Sequence, residues 1–445
     1  MNDLIKIIEC PAGKYIFDGR DNTINEYSDQ AYETLHNKYV NYTEEINNVS
    51  THYDIENIKF LALNRLNHII LSFTNNCNLR CIYCSYHDNK FKAVTDSEMN
   101  KSDVKKILDF IIAHSKESYN TTISFYGGEP LLRFDLIKYA VEYIHRQNYT
   151  GHKYAFRITT NGTLLSFDIV QFLVKHNIMC SVSLDGPVFI QDRYRVFKEG
   201  TPTYDEVIRN LKMIAKKYPQ YYNNNVSFQA VVAPPYEPAL PKEYFEKAEV
   251  RFLDVSIGDH FSQLLRSDYG LSLFGQDFER SADFKPLLLG KMNKKELSDK
   301  MQYITSLRKY TSLGVKSLQT SIIPGGFCVP MITRLFIGQD GVIRLCERVD
   351  KDNPLFQFGD VGTGYDFNKI DDLYENTREL LKGNCDRCWA IRYCAACFAN
   401  MDKVNYDGEY CKMFRKEIEN GLIDFIDFKY NNKRYKEMVN SISVN

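Results

Sequence analysis

Between residues 66 and 260, short apolar runs alternate with segments whose apolar residues recur every three or four positions. HIILSFT (68–74), TTISFYG (121–127), FRITTNG (156–162), MCSVSLDG (179–186), VSFQAVV (226–232) and VRFLDVSI (250–257) are short runs rich in β-branched residues, which predicts strands. Between them Val104, Ile107, Leu108, Ile111 and Ile112 mark one face of a helix, with Ser102 expected as its cap. Phe134, Ile137, Val141 and Ile144 mark a second helix, 167–176 a third, and Val207, Leu211 and Ile214 a fourth. Strands alternating with helices predict parallel βαβ units. About six such units predict a partial (β/α)6 barrel, an α/β fold whose strand ends share one rim.

Patterns outside this region differ. In residues 1–65, IKIIEC, KYIFDG and NTINEYS read as three strands with a turn at Gly19 to Asn22, followed by a helix through Ala31, Tyr32 and Leu35. This predicts a small α+β module whose free sheet edge is suited to capturing an extended peptide as an added strand. The barrel is assigned to 66–270 and a bridging segment to 271–320. Residues 321–445 form a C-terminal domain, in which Asp340-Gly341 turns a hairpin between RLFIGQ and VIRLCE. An amphipathic helix through Phe414, Ile418 and Leu422 follows.

The chain has 445 residues, enough for two or three domains. A formal net charge of -1 provides no electrostatic case for nucleic acid. No segment has the length of a membrane span, and MNDLIKIIEC lacks the apolar run of a secretory signal, so a cytoplasmic protein is expected. In that compartment the 12 cysteines are not expected to form a disulfide framework. Three cluster at 77–84 and seven between 328 and 411; Cys10 and Cys180 stand apart, Cys180 as a buried small hydrophobe.

Cys77, Cys81 and Cys84, in CNLRCIYC, place three thiols on one loop with no fourth ligand nearby in sequence. A closed structural site uses four protein ligands, whereas a reactive one keeps a position open. The alternatives are a zinc loop or three unrelated buried thiols. One βα unit later, Gly127-Gly128-Glu129-Pro130 combines two glycines that allow close backbone approach with a carboxylate able to accept a hydrogen bond from an ammonium. Thr160-Asn161-Gly162-Thr163 and Ser183-Leu184-Asp185-Gly186-Pro187 end the next two strands, with Asp192 and Arg195 downstream.

In this order, these motifs resemble those of radical SAM enzymes. The resemblance implies a 4Fe-4S cluster on Cys77, Cys81 and Cys84, including Tyr83 in its signature, whose open iron takes S-adenosylmethionine. Gly127, Gly128 and Glu129 are implied to receive the methionyl amine, with Asn161 reaching a ribose and Ser183 and Arg195 candidates for the ribose and carboxylate. Reductive cleavage to a 5'-deoxyadenosyl radical follows from the family's chemistry, with flavodoxin or ferredoxin as external reductant.

The C-terminal cysteines run Cys328-x12-Gly341-x4-Cys346, then Cys385-x2-Cys388-x5-Cys394-x2-Cys397, then Cys411 after thirteen residues. This resembles the SPASM domain, which carries auxiliary 4Fe-4S clusters, although the family usually has three residues between the last two cysteines of the central run. By the family's pattern Cys385, Cys388, Cys394 and Cys411 would hold a distal cluster, leaving Cys328, Cys346 and Cys397 for a proximal one, hence three clusters in all. Sulfatase-maturing relatives have a further cysteine just upstream of the first; KSLQTSIIPGGF, before Cys328, has none. An open proximal iron is therefore expected, able to bind a substrate thiolate. Glu347 occupies the place of the aspartate that deprotonates substrate in those relatives, and a carboxylate there is a candidate general base. A pair of zinc knuckles is the alternative for these cysteines.

The architecture resembles that of peptide-modifying maturases, and the N-terminal module resembles an abbreviated leader-recognition domain. The implied activity is cross-linking of a ribosomally made precursor peptide, as a Cys thioether or, alternatively, a carbon-carbon link. Anaerobic sulfatase maturation, with formylglycine as product, is a second reading. A non-enzymatic zinc-binding peptide adaptor is a third, and it leaves GGEP and SLDGP unexplained.

Overall fold

The computed structural model describes residues 4–40, 55–84, 99–147, 152–231, 243–245, 255–258, 328–332 and 334–431. They belong to two compact units. The bridging segment expected at 271–320 and the first half of VRFLDVSI lie outside the described residues.

The larger unit comprises Asp54–Leu273 and Val329–Leu373. Its centre is six parallel strands: β4 (His68–Ser72), β5 (Asn120–Tyr126), β6 (Lys153–Thr160), β7 (Met179–Ser183), β8 (Val226–Val231) and β9 (Val255–Gly258). Each lies beside the next in chain order. This singly wound order is the connectivity of a partial (β/α) barrel, as the alternating pattern predicts, and it places all the strand ends that carry motifs along one edge. Helices α2 (Ile55–Asn64), α3 (Lys101–His114), α4 (Phe134–Gln147), α5 (Phe167–Lys175), α6 (Val188–Tyr194), α7 (Tyr204–Lys217) and α8 (Pro219–Asn225) occupy the connections. In α3 the buried face is Val104, Ile107, Leu108, Phe110 and Ile111. The cap is Asn100 rather than Ser102. Asn100 Oδ1 accepts from the Ser102 and Asp103 backbone N–H groups at 2.8 and 3.2 Å, and Asp103 reaches back to the Asn100 N–H. Ser102 thus supplies one of the unpaired first-turn donors that a cap satisfies.

The same sheet continues past β4. Strand β10 (Leu335–Ile337) runs parallel to it, and β11 (Val342–Arg344), β12 (Gln357–Asp360) and β13 (Gly364–Tyr365) add antiparallel neighbours. The hairpin at Asp340-Gly341 forms as expected, with Gly341 at φ 75. Asp340 takes a bidentate pair from buried Arg344, at 2.9 and 2.6 Å. Residues 329–373, expected in the C-terminal domain, therefore belong to the barrel's unit, and β10 to β13 extend its sheet.

The smaller unit comprises Met1–Tyr53, Phe274–Cys328 and Tyr374–Asn445. Its sheet is antiparallel, β1 (Ile5–Cys10), β2 (Gly13–Asp18) and β3 (Thr23–Glu26), followed by α1 (Asp29–Val40). The sheet's inner side chains Ile8, Tyr15 and Phe17 share one core with Trp389, Ala390, Ile418, Leu422, Phe425 and Ile426. The last four lie on α10 (Glu409–Asn431). α9 (Asn368–Leu381) precedes the central cysteine run. The N-terminal strands and the last cysteines, far apart in sequence, thus fold as one body. Among the described residues no helix is long and apolar enough to cross a membrane.

Candidate active site

The first cysteine loop leaves the end of β4. It is held as an extended segment against residues 194–198: Arg80 N–H donates to Val196 O at 2.8 Å, Ile82 N–H to Tyr194 O at 3.0 Å and Lys198 N–H to Asn78 O at 3.1 Å. Leu79, fully buried, bridges Phe197. Cys77 is buried and Cys81 and Cys84 are half-buried. Burial pushes the Cys77 thiol up, and pushes Cys81 up to about 11 against the opposing charge of Arg195.

The GGE segment at the end of β5 is stitched to this loop. Gly128 N–H donates to Thr74 O at 3.0 Å and Glu129 N–H to Asn76 O at 2.8 Å. A Cβ on Gly128 would lie 2.2 Å from Asn76 O and 2.5 Å from Asn75 O. The glycine is thus required by close approach of protein backbone to protein backbone. Glu129 is buried, and its carboxylate faces inward. Oε1 accepts from Leu131 N–H at 3.0 Å and Thr160 Oγ1 at 2.8 Å, and Oε2 from Asn161 N–H at 2.8 Å. Burial nevertheless raises its pKa to about 7. With three protein donors on it, Glu129 ties the ends of β5 and β6 together.

Asn161 also turns toward the loop. Its Nδ2 donates to Asn78 Oδ1 at 2.9 Å and faces Cys77 Sγ at 3.8 Å, while its Oδ1 accepts from Thr163 N–H and Oγ1 at 3.0 and 2.7 Å. The Leu79 N–H adds a second donor to Cys77 Sγ at 3.3 Å. Partners of this kind orient a ligand and tune the metal group it holds.

Asp185, given no role by its motif, joins two of the candidate residues. It is fully buried, and the Tyr83 hydroxyl donates to its Oδ2. Val231 N–H donates to its Oδ1 at 3.0 Å. Arg195 Nη1 donates to the Tyr83 hydroxyl at 2.6 Å and lies 3.8 Å from Asp185 Oδ1. Burial raises the Asp185 pKa, countered by Arg195 and by the Tyr83 hydrogen bond. Arg195 is 8% exposed, and its Nε is buried without a hydrogen-bond partner. Ser183, half-buried at the end of β7, stands two residues before Asp185. The only local signal for Asp185 was its place in SLDGP; its partners lie 102 residues before and ten after it in sequence.

Cys346 and Glu347 follow β11, on the same sheet. Glu347 pairs with Arg334 Nη1 at 3.0 Å and Arg348 Nε at 3.6 Å. It lies in the electrostatic neighbourhood of Tyr126, whose hydroxyl is pushed up to about 12 by burial, with Glu347 and Cys84 adding to the effect. Lys351, another residue without a prior assignment, is buried and donates to Asn75 Oδ1 at 3.3 Å. Burial and Arg344 hold its pKa down to about 8.

In the smaller unit Cys385, Cys388, Cys394 and Cys411 line one hollow, partly open to solvent, together with Ile391, Phe414 and Arg415. Burial pushes the Cys394 thiol up to about 12. Arg415 supplies a positive charge beside Cys388 and Cys411, and its Nη1 is buried without a hydrogen-bond partner. Four thiols around one hollow, with Arg415 held beside them by its Nη2 bond to Tyr406 O at 2.7 Å, fit an anionic thiolate-ligated cluster. Among the described residues no three His, Cys, Asp or Glu side chains are placed to share a single metal ion. Cys328 and Cys397 belong to this unit and Cys346 to the larger one.

The three-thiol loop, the GGE stitch and the Tyr83-Asp185-Arg195 network stand at successive strand ends, and residues 71–236 match the model of the radical SAM superfamily. Residues 71–236 are a radical SAM domain. An uncharacterized protein of Methanocaldococcus jannaschii is 34% identical over 153 residues, covering 34% of this chain and 50% of its own length. A cysteine-type anaerobic sulfatase-maturating enzyme of Clostridium novyi is 29% identical over 195 residues, 42% of this chain and 50% of that protein. The chain thus spans about half the length of these curated relatives. In fold, a solved structure of native anSMEcpe with bound AdoMet superimposes with a TM-score of 0.58 at 19% identity, over 82% of this chain and 100% of that one. The same protein with AdoMet and a Cp18Cys peptide gives 0.54 at 20% identity, over 85% and 100%.

Proposed function

We propose that the protein is a radical SAM oxidoreductase of the peptide-maturase type, with a Cys thioether cross-link in a ribosomally made precursor peptide as the expected product. The observation that carries the reading is the convergence on one loop of Cys77, Cys81 and Cys84 with the Gly128 stitch, Asn161 and the Tyr83-Asp185-Arg195 network. The sulfatase-maturating relative and the peptide-bound neighbour support a peptide as substrate.

When bound, S-adenosylmethionine and a 4Fe-4S cluster supply a carbon radical. The chain's own residues prepare the place. Cys77, Cys81 and Cys84 would ligate that cluster, and Asn161 and Leu79 N–H groups fix Cys77 for it. Arg195, with Nε free of protein partners, offers a charge for the carboxylate of S-adenosylmethionine, while Tyr83 and Asp185 hold the guanidinium in place. Ser183 offers a hydroxyl at the same rim. Glu347 would accept the proton released when a peptide cross-link closes. Cys385, Cys388, Cys394 and Cys411 would hold an auxiliary cluster; Cys328, Cys346 and Cys397 remain candidates for another on sequence spacing alone. The external electron donor would be a flavodoxin or ferredoxin.

The test uses anaerobically reconstituted protein with reductant, S-adenosylmethionine and a synthetic Cys-containing precursor encoded beside this gene. A product two hydrogens lighter, with the cysteine no longer alkylatable, is expected. 5'-Deoxyadenosine without any change in such peptides would remove the maturase reading. Sulfatase maturation is the second reading, favoured by the name of the Clostridium novyi relative. It predicts an aldehyde, trapped by a hydrazide, on a sulfatase-derived Cys or Ser peptide.

A further inference from the structure

The turn between β2 and β3, Asp18 to Asn22, is built more firmly than a hairpin needs. Asp18 is fully buried, and its Oδ1 accepts from the Arg20 and Asp21 N–H groups at 2.9 and 3.0 Å and from the Tyr39 hydroxyl at 2.8 Å. Asn22, also fully buried, adopts a left-handed φ of 56, which asparagine tolerates better than most residues. The surface presented by this turn is occupied by the segment that carries the central cysteines. Arg20 Nη2 donates to Asp386 O, Arg392 Nη2 donates to Arg20 O at 3.2 Å, and the Tyr393 hydroxyl donates to Asn22 Oδ1 at 2.6 Å. A Cβ on Gly19 would lie 2.0 Å from Trp389 O. These contacts fall just after Cys385, on both sides of Cys388 and just before Cys394, three of the four thiols lining the hollow.

Residues 384–397 contain no helix or strand and are held internally by single turns, with Cys388 N–H on Cys385 O at 3.2 Å, Ile391 N–H on Cys388 O at 3.3 Å and Tyr393 N–H on Ala390 O at 3.0 Å. How these turns stand relative to one another is fixed by what they pack against. We propose that the Gly19–Asn22 turn is a positioning element of the auxiliary cluster site, so that the N-terminal sheet is part of that site. The proposal rests on reading Cys385, Cys388, Cys394 and Cys411 as cluster ligands. A sheet edge on β3 that captured a peptide would, through the same turn, bear on the cysteine segment.

The test compares wild type, Gly19→Ala and Tyr393→Phe, each reconstituted anaerobically as full chain. Iron and sulfide content and the EPR-monitored potential of each cluster are measured, with the signal that responds to S-adenosylmethionine as internal reference. Gly19→Ala is expected to lose about four irons, one cube, while the reference signal persists. Tyr393→Phe loses only the hydroxyl bond to Asn22 and is expected to shift the auxiliary cluster's potential at full iron content. If Gly19→Ala fails to fold, Tyr393→Phe decides. Unchanged iron and unchanged auxiliary potential in the folded variants overturn the proposal. A wild type that takes up iron only at Cys77, Cys81 and Cys84 would instead defeat the ligand assignment.

Discussion

Replacing Asn161 separates its two conceivable roles, tether of the cysteine loop and contact to a nucleoside. Asn161→Ala leaves the buried Thr163 N–H and hydroxyl without their acceptor, and Asn78 Oδ1 without its donor. One orphaned buried group costs about 1–3 kcal/mol, so the two on Thr163, with half-buried Asn78 left to water, cost roughly 2–6 kcal/mol. In a unit of this size that lowers Tm by roughly 4–11 °C. Asn161→Asp is more informative, because Oδ1 stays and the Thr163 bonds survive. The second carboxylate oxygen then takes the place of the Nδ2 that faces Cys77 Sγ at 3.8 Å. Two full charges at that separation repel by about 4 kcal/mol at an effective dielectric of 20. An electron added to a cluster spreads over the whole group, which leaves roughly 2 kcal/mol, or about 90 mV for one electron. The assay is EPR-monitored titration of the S-adenosylmethionine-responsive cluster, with the ligand's Kd measured in parallel. The expected result is a potential lower by roughly 50–100 mV and a Kd within a few fold of wild type. A potential unmoved in Asn161→Asp, with affinity reduced tenfold or more, would refute the tether and return Asn161 to the ribose.

Two more predictions follow from the same loop. Gly128→Ala drives a Cβ into Asn75 and Asn76 carbonyls and breaks the Gly128 and Glu129 backbone bonds to the cysteine loop; iron analysis should show the loss of about four irons, one cube, and full iron content with a normal Tm would contradict the packing argument. Glu129, with its native pKa of about 7 above the ordinary 4.5, keeps its proton longer folded than unfolded. Stability should therefore fall by about 3 kcal/mol as pH rises from 4.5 to 7 and level off above it. Urea midpoints across that range should lose this slope in Glu129→Gln; an unchanged slope would assign it to other groups.

The barrel was legible because each βα unit carries its own local pattern: alternation in TTISFYG, a 3.6-residue period from Val104 to Ile111. Strands β12 and β13 were not, since four and two residues, with Gly359 and Gly364 among them, give no periodic signal. The helix cap was misplaced by two residues because Asn100 and Ser102 are both capping residues and only the Asp103 reciprocity distinguishes them. No local pattern links Phe17 to Trp389 and Tyr393, so the union of the N-terminal sheet with the last cysteines had to come from folding. The site divides along the same line. Thiols announce themselves by spacing, whereas Asp185 acquires its role only when Tyr83 and Arg195 fold onto it. Asn161 and Glu129 were expected to face a ligand; in the structure the Glu129 carboxylate bonds across to the end of β6 and the Asn161 amide bonds to the cysteine loop and Thr163, protein contacts that residue type does not announce.

The central claim is that Cys77, Cys81 and Cys84 hold the group that opens S-adenosylmethionine reductively. The most direct measurement is 5'-deoxyadenosine formed per protein under reducing anaerobic conditions, by wild type and by Cys77→Ala, Cys81→Ala, Cys84→Ala in one chain. Wild type should form it and the triple variant none, with its iron content lower by about four irons, one cube. Equal 5'-deoxyadenosine from both proteins, or none from fully reconstituted wild type with its precursor present, would contradict the account.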